Sequence, residues 1–514
     1  MENILFTNVE LYDGTGNPPF MADVAVKDER IAEVAPSGSL KKTGAVLVDG
    51  KGLALTPGFV DVHGHSDGKA VTVPTGDSKI SQGVTTEVTG NCGFSDYMDE
   101  IKDNDLGEEI HNVRGNFAAY ADLVERSHQA LNIAHMCGHN TLRAYVMGYE
   151  NRPPTREEMR RMKELLADAL ANGAAGFSGG PYYLPGKFAA TEELKELASL
   201  LKGTGKPYAT HIRSEGDTLL ESIEEAMEIA AAGDNDLQIS HLKASPKWNW
   251  HKIDAAFELI EKGQREGMDI LADRYPYIHC NTSLRTIVPK PFDVVDTTTL
   301  CTRLKESAQY RAELLAAFND GRERGFDRVL IMNSREPSHR PYYGKSLVEI
   351  GAEKGITPEE VFVELLASGR CPSAAFGTMC DENLNKILAK PYVVAGSDGN
   401  IRRFDDNGTH PRAFGTHPRF FRIAVKYNDY ASVIRRMTSL PAAKFNLEGR
   451  GVVAPGYYAD LTLVDLEGYD SKADYAVPNR RAEGVRAVYV NGRLAYSPDP
   501  EVDTQCPGKM LRIK

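Results

Sequence analysis

The 514-residue sequence lacks several features that mark other classes of protein. Its seven cysteines are scattered, odd in number and never spaced as Cys-x-x-Cys, which argues against a disulfide framework and favours a reducing compartment. No apolar stretch approaches the ~20 residues needed to cross a bilayer. The N-terminus shows no basic start followed by an apolar run, as a signal peptide would. These absences predict a cytoplasmic protein without a membrane segment.

The chain also lacks a net positive charge, because its acidic residues outnumber its basic ones. The formal net charge of −12 argues against nucleic acid or an anionic membrane surface as the main partner. No glycine-rich phosphate loop ending in Gly-Lys-Ser/Thr, with the first glycine five positions ahead, occurs in the chain. The composition is otherwise that of an ordinary globular protein, long enough for more than one domain or for one large barrel with additions.

Short β-type runs alternate with helical stretches through the middle of the chain. The runs lie at 59–62, 84–89, 133–136, 176–177, 208–210, 237–240, 268–272 and 393–395. The predicted helical stretches include 219–232 and, later in the chain, 300–318. Repeated strand-then-helix units predict an α/β fold with a parallel sheet, and about eight units predict a closed (β/α)₈ TIM barrel. The alternative is an open doubly wound sheet. Its dinucleotide-binding form would show a Gly-x-Gly-x-x-Gly turn opening a helix, and none is found.

Both chain ends differ from the middle. Short strands, including 4–6 and 9–11, are separated by Gly, Asn and Asp turns in roughly the first 50 residues. Similar strands near the C-terminus are followed by an Asn491-Gly492 hairpin turn. We therefore expect residues 1–56 and 441–514 to form one small β-domain beside a barrel of residues 57–440. From about 285 to 382 the alternation weakens, which predicts an insertion between the last two barrel strands that could act as a lid.

Six residues with metal-binding or proton-transfer chemistry fall where the predicted barrel strands end. They are His63, His65, Cys92, His211, His241 and Asp398. His63 and His65 stand two positions apart, so that both imidazoles point to the same face of a strand. Barrel enzymes gather their catalytic residues at the C-terminal ends of the strands, and imidazole and thiolate are zinc ligands. The six residues together predict a metal site.

Each of these residues has an ordinary explanation when taken alone. Two histidines at a strand end can simply face solvent, a free cysteine is usually an inert buried thiol, and Ser-Asp-Gly at 397–399 is good turn chemistry. The ordinary explanation would have to hold six times at matching positions. The joint interpretation as a metal site is therefore preferred.

Motifs along most of the chain resemble the amidohydrolase superfamily, and within it the N-acyl-D-amino-acid deacylases (D-aminoacylases). The motifs are PGFVDVHGH at 57–65, GNCG at 90–93, GHNTLR at 138–143, GAAGFS at 173–178, THIRSE at 210–215, ISHLK at 239–243, DRYPY at 273–277, GSDG at 396–399, GTHPR at 415–419 and PGYYAD at 455–460. The resemblance is specific because so many separate pieces recur in order.

This resemblance implies a set of roles for residues of the predicted site. It implies zinc ligands Cys92, His211 and His241, a looser metal position at His63 and His65, and a catalytic Asp398. Many amidohydrolases bridge two metals with a carboxylated lysine. Here the resemblance puts Cys92 in that place, so that one tightly held Zn²⁺ could suffice, with a second, weaker site as the alternative.

The implied reaction is hydrolysis of the amide bond of a small-molecule N-acyl-D-amino acid, releasing a carboxylate and a free D-amino acid. A buried substrate carboxylate needs a cation or several donors. The candidates are Lys243, Arg213, Arg285 and the family's substrate tyrosine, which Tyr183 resembles. Lys243 ranks first, because Arg213 could pair with Glu215 and Arg285 could belong to the insertion.

Two other classes of function stay open at this stage. Another amidohydrolase, acting on a cyclic amide or a dipeptide-like substrate, should show a carboxylatable lysine at a middle strand end, and no convincing one is found. A non-catalytic barrel scaffold would be expected to have lost ligands, and none is missing. The run Cys280-Asn281-Thr282 departs from the expected Gly-Ser-Thr, which leaves the substrate side chain undefined. Neither the acyl group nor the oligomeric state follows from the sequence.

Overall fold

A computed structural model describes residues 3–41, 44–98, 101–102, 109–111, 113–321, 324–406 and 408–514. Within these residues the centre of the molecule is a barrel of eight parallel strands, as the sequence predicted. The strands are Phe59–Asp61, Val84–Thr89, Asn132–His135 continued by Cys137–Gly138, Phe177–Gly179, Tyr208–Thr210, Asp236–Ile239, Asp269–Arg274 and Val393–Ala395.

Two joins close the barrel. The third strand pairs with the second through Asn132–His135 and with the fourth through Cys137–Gly138. The eighth and first strands meet just past their ends, where the backbone N–H of Asp398 donates to the carbonyl oxygen of His63 at 2.7 Å. Because all strands run in parallel, their C-terminal ends open on one side, which is where barrel enzymes place their active sites.

The barrel strands are apolar because helices cover the outside while side chains fill the inside. Every residue of Val84–Thr89 is buried. The helix Ile253–Arg265 buries Ile253, Ala256, Phe257 and Ile260, a spacing that puts one apolar stripe against the sheet. The other helices around the barrel include Asp77–Ile80, Phe117–Arg126, His139–Met147, Arg156–Ala171, Thr191–Ala198, Leu219–Ala232, Asp381–Ala389, Arg412–Ala424 and Tyr430–Met437. Among the residues described, no helix combines the length and apolarity needed to cross a membrane.

The predicted insertion lies between the seventh and eighth barrel strands. Its antiparallel sheet consists of Cys280–Ser283, Ser373–Phe376 and Val329–Asn333, in that order. Its helices are Thr297–Glu306, Ala308–Ala317, Leu347–Lys354 and Pro358–Ala367, and they bury an apolar core separate from that of the barrel.

The insertion differs from its prediction in two details. Its sheet begins at Cys280, before the predicted bound of 285, because the polar run Cys280–Ser283 has no strand-like alternation to reveal it. The helical stretch predicted at 300–318 is two helices. Ser307 takes an extended conformation between them, and its side chain accepts a hydrogen bond from the backbone N–H of Tyr310, which caps the second helix.

The two chain ends share one sheet, as predicted. Its order is Arg493–Tyr496, Val485–Val490, Leu461–Val464, Ala54–Pro57, Ile4–Leu11, Phe20–Lys27 and Arg30–Pro36, with Val46–Asp49 also paired to Ile4–Leu11. The strands predicted at 4–6 and 9–11 are one strand, because Asn8 takes a φ of 58° within a bulge instead of ending the strand in a turn.

The last residues of the chain leave this sheet and return to the barrel. The backbone N–H of Leu511 donates to the carbonyl oxygen of Ile133 at 2.7 Å, and that of Ile513 donates to Gly173 at 3.0 Å. These contacts lie at the N-terminal ends of the third and fourth barrel strands, away from the mouth. The tail therefore closes the bottom of the barrel, although the sequence assigned all of 441–514 to the β-domain. The division into a β-domain of 1–56 and 441–514 and a barrel of 57–440 therefore stays a prediction.

Candidate metal centre

The mouth of the barrel brings the six predicted site residues together. Cys92 Sγ lies 3.3 Å from His63 Nε2, 3.7 Å from His211 Nδ1 and 3.6 Å from His241 Nε2. In a second group, Asp398 Oδ1 lies 3.2 Å from His65 Nε2 and 3.7 Å from His63 Nε2. The potential ligand atoms of His63, Cys92 and His241 lie within 4.8 Å of one another, as do those of His63, His65 and Asp398. Those of His211 and His241 form a third such group with Glu215.

The backbone turns sharply at these positions. Cys92, His241 and Asp398 take positive φ values of 54°, 36° and 50°, which are uncommon for residues other than glycine and concentrate at functional sites. The loop that carries Cys92 is also approached closely. A Cβ atom at Gly180 would come within 1.9 Å of the Cys92 carbonyl oxygen, so only glycine fits there. The chain thus accepts local strain in order to aim these side chains into the mouth.

The separations of the donor atoms fit a zinc ion. In a tetrahedral site with bonds of ~2.3 Å to sulfur and ~2.0 Å to nitrogen, neighbouring sulfur and nitrogen ligands lie about 3.5 Å apart. The three distances from Cys92 Sγ, between 3.3 and 3.7 Å, agree with that value. Burial raises the pKa of the Cys92 thiol, but His63, His211 and His241 hold it well below its usual range. The arrangement therefore favours the thiolate, the form that binds metal.

Asp273 contacts two of the histidines, His63 through its ring and His241 through its backbone. Its Oδ1 lies 3.1 Å from His63 Nδ1 and accepts the backbone N–H of His241 at 2.8 Å. A carboxylate on the far nitrogen of a metal-ligating histidine selects the tautomer and fixes the ring. Here that leaves His63 Nε2 facing Cys92. This role of Asp273 was not predicted from the sequence, although Asp273 lies in the seventh barrel strand, near its C-terminal end.

Glu215 is a second carboxylate that contacts ligand histidines, in this case His241 and His211. Its Oε1 lies 2.9 Å from His241 Nδ1 and 3.5 Å from His211 Nε2. Burial raises the pKa of Glu215, but Lys243 and the two histidines hold it far below its usual range. The sequence analysis considered Glu215 only as a partner of Arg213. Its spacing of four residues from His211 was the available signal.

Lys243 lies beside the centre but behind His241. Its ammonium group forms an ion pair with Glu215, lies 2.8 Å from His241 Nδ1 and donates to the His241 carbonyl oxygen at 3.0 Å. The side chain is only 4% exposed. The structure therefore brings Lys243 to the site, with much of its hydrogen-bonding capacity already engaged.

Arg213 and Arg285 do not reach the centre. Arg213 Nε donates to Glu225 Oε2 at 2.9 Å, and Arg213 Nη2 donates to the Ala189 carbonyl oxygen at 3.1 Å. The fifth barrel strand ends at Thr210, so the two-residue alternation that predicted Arg213 at the mouth no longer holds there. Arg285 lies in the insertion and donates to the carbonyl oxygen of Asp293 at 3.1 Å.

Tyr183 stands next to the metal-ligand candidates. Its ring centre lies 4.8 Å from that of His211 in an edge-to-face contact and 5.8 Å from that of Phe94. Burial raises the pKa of the Tyr183 hydroxyl well above its usual range, so the group stays protonated and can donate a hydrogen bond.

Arg412 is a site residue that the sequence analysis missed. Its Nη1 donates to Asp398 Oδ2 at 2.7 Å, and its Nη2 donates to the Asn281 carbonyl oxygen at 3.3 Å. Burial raises the pKa of Asp398, but Arg412 and then His65 hold it well below its usual range. Arg412 begins a helix rather than following a strand, so the strand-end rule could not find it.

A buried ion-pair network holds the loop that carries Asp398. Lys79 Nζ lies 2.6 Å from Asp61 Oδ2 and 3.4 Å from Glu87 Oε1. It also donates to Ser397 Oγ at 2.6 Å and to the Gly399 carbonyl oxygen at 2.9 Å. The residues on both sides of Asp398 are therefore attached to one ammonium group in the barrel interior.

Comparisons with known proteins agree with this geometry. A protein-family model described as "Amidohydrolase family" matches residues 46–496. The chain is 33% identical to a D-aminoacylase of Alcaligenes xylosoxydans xylosoxydans over 503 residues, which cover 95% of this chain and 93% of the relative.

Two solved structures are similar over 99% of both chains. One is a D-aminoacylase described with a binuclear metal center, one-metal activation and second-metal attenuation, with a TM-score of 0.81 and 32% identity. The other is an N-acyl-D-glutamate deacylase from Bordetella bronchiseptica complexed with zinc and a phosphonate inhibitor, with a TM-score of 0.81 and 29% identity.

Proposed function

We propose that this chain, which belongs to the amidohydrolase family and is a metal-dependent amide hydrolase, uses zinc to cleave N-acyl-D-amino acids into a carboxylate and a free D-amino acid. The observation that carries the proposal is the thiol of Cys92 among three imidazoles at tetrahedral separations, with the carboxylate of Asp398 alongside. The D configuration of the substrate rests on the similar proteins, which are named for D-amino-acid derivatives.

In this proposal Cys92, His211 and His241 hold one zinc ion tightly. His63 and His65, with Asp398, form the second and weaker position. A zinc ion held there would supply Lewis-acid chemistry toward the amide carbonyl and toward a water nucleophile. The D-aminoacylase described with one-metal activation and second-metal attenuation supports a single working metal.

Asp398 moves the proton. The ion pair with Arg412 and the contact with His65 keep the Asp398 carboxylate ionised, as a group that accepts a proton must be. We propose that Asp398 takes a proton from the attacking water and gives it to the leaving amine, because an amine leaves far more easily once it is protonated.

The substrate carboxylate is proposed to lie between Tyr183, Lys243 and Arg412. Arg412 joins this set because its guanidinium borders the mouth beside Asp398. Arg213 and Arg285 are left out, because their side chains are bonded elsewhere. Two cations and a hydroxyl would satisfy a carboxylate that loses its water on binding.

A substrate panel tests this function. Purified enzyme of measured zinc content is given N-acetyl-D- and N-acetyl-L-amino acids, a hydantoin and a dihydropyrimidine, and release of amine or ring opening is followed. Hydrolysis of the N-acetyl-D-amino acids with little activity on the L enantiomers or on the cyclic amides is expected. Preference for a cyclic amide, or for the L series, would contradict the proposal.

A further inference from the structure

A cavity of about 540 Å³ extends from the candidate centre toward the insertion. It meets the centre at His65, Asp398 and Arg412, and its far wall includes Arg335 and Arg370 of the insertion. Its volume falls in the range of about 300–1,000 Å³ that is typical of small-molecule sites. It is therefore large enough for a substrate group beyond the scissile amide.

The charge of this cavity is opposite to that of the chain. Among the described residues of its wall are four arginines, Arg335, Arg370, Arg402 and Arg412, and a single carboxylate, that of Asp398. Because Arg412 is paired with Asp398 at 2.7 Å, the other three guanidinium groups remain without a carboxylate in the wall. The chain as a whole has a net charge of −12, so a cluster of cations at one cavity is a local exception. Such a cluster attracts an anionic ligand.

None of the three remaining arginines is paired with a carboxylate of the cavity wall, and Arg335 and Arg370 are exposed to solvent. Within the part of the chain that the structure describes, the side chains of Arg335 and Arg370 have no hydrogen bond or ion pair. The Arg402 side chain donates to the amide oxygen of Asn400 at 2.9 Å, a neutral partner. Burial lowers the pKa of Arg402, and the carboxylate of Asp406 only partly opposes this effect. Their charge is thus available to a ligand.

We infer that the enzyme prefers N-acyl-D-amino acids with a second anionic group, which Arg335, Arg370 and Arg402 bind while the scissile amide lies at the metal centre. The inference rests on the proposed function and narrows its substrate class. The second carboxylate could stand on the amino-acid side chain or on the acyl group. Both sources share one chemistry, and arginine suits it because its planar donor groups match a carboxylate.

Matched substrate pairs separate the two sources. N-acetyl-D-glutamate is compared with N-acetyl-D-glutamine, and N-succinyl-D-alanine with N-butyryl-D-alanine, so that each pair differs in charge more than in shape. We expect kcat/KM to favour the charged member of at least one pair by about tenfold or more, the scale of a charge-assisted contact. Equal values within both pairs would overturn the inference, even with high activity on every substrate.

The Arg335→Gln/Arg370→Gln double variant tests the assigned residues. It should lose about tenfold in kcat/KM on the charged substrate and little on its neutral partner. The matched control is Arg340→Gln, which removes an exposed arginine that does not line the cavity. Equal losses on both substrates, or the same loss in the control, would contradict the assignment.

A binding measurement keeps this inference separate from the proposed function. In the Asp398→Asn protein, calorimetric titration compares N-acetyl-D-glutamate with N-acetyl-D-glutamine, and N-succinyl-D-alanine with N-butyryl-D-alanine, without turnover. Tighter binding of a charged member, lost in the arginine double variant, would support the inference even if the wild-type enzyme hydrolysed none of these amides. Equal binding within both pairs would overturn it even if hydrolysis of N-acyl-D-amino acids were confirmed.

Discussion

Replacing Lys79 with methionine should both destabilise the protein and slow the reaction. The Lys79 side chain is 0% exposed, as are its partners Asp61 and Glu87. Methionine keeps most of the length and volume of the lysine side chain but removes the charge. The variant therefore leaves two carboxylates in the barrel interior without their counter-charge.

The size of the effect follows from these contacts. Removing one partner of a buried ion pair costs about 3–5 kcal/mol, because the remaining charge stays desolvated and unpaired. This is a large part of the roughly 5–15 kcal/mol by which a folded domain is stable. The loop at 397–399 also loses its two bonds to the ammonium group, so Asp398 should sit less firmly and kcat should fall.

Urea unfolding followed by circular dichroism, together with steady-state kinetics, measures both effects. Lys262→Met is the matched control, because Lys262 lies on the surface in an ion pair with Glu266 and is 62% exposed. The control should unfold and turn over substrate like the wild type. If Lys79→Met unfolds at the wild-type urea concentration, the buried network does not hold this part of the barrel. Unchanged kcat in a destabilised variant would show that the network does not position Asp398.

Three further substitutions test the zinc ligands, the proton-transfer residue and the binding of the substrate carboxylate. Cys92→Ala should lower zinc content sharply from about one ion per chain, as measured by elemental analysis, and full zinc with full activity would refute the ligand assignment. Asp398→Asn should lower turnover by roughly a hundredfold or more with an unchanged circular dichroism spectrum, and near-normal turnover would leave the proton-transfer role without support. Lys243→Met should weaken N-acyl amino acids far more than the matching N-acyl amino amides, and an equal loss in kcat/KM on both would count against carboxylate binding.

The elements that could be predicted from sequence are those with a local cause. The helix predicted at 219–232 has the bounds Leu219–Ala232, because a long apolar stripe defines it. The ends of the barrel strands were predicted to within two residues, because a short β-type run marks each strand. The helix break at Ser307 and the bulge at Asn8 were not predicted. Each depends on the backbone conformation of a single residue, which the surrounding pattern of apolar residues does not determine.

The candidate site divides in the same way. Residues one or two positions past a strand end, such as His211 and His241, were found because strand direction determines which edge of the barrel they reach. Arg213 was placed wrongly at the mouth, because alternation stops where the strand stops. Arg412 was missed because helix 412–424 reaches the mouth through packing, which no local pattern records.

The carboxylates of Asp273 and Glu215 show why some contacts of the site cannot be predicted from the sequence alone. Asp273 contacts the ring of His63, which belongs to a different barrel strand, so no sequence neighbour reveals this partner. Glu215 has His211 four residues before it, but its shorter contact is to His241, which follows the next strand. The arginines of the cavity follow the same logic, because Arg335 and Arg370 belong to the insertion and meet Asp398 only in the folded chain. The barrel edge thus carries the reacting groups, and the insertion supplies charges further along the same cavity. If the barrel holds the metal and the insertion selects the substrate, substitutions in the insertion should change which substrate is preferred and leave the zinc content unchanged.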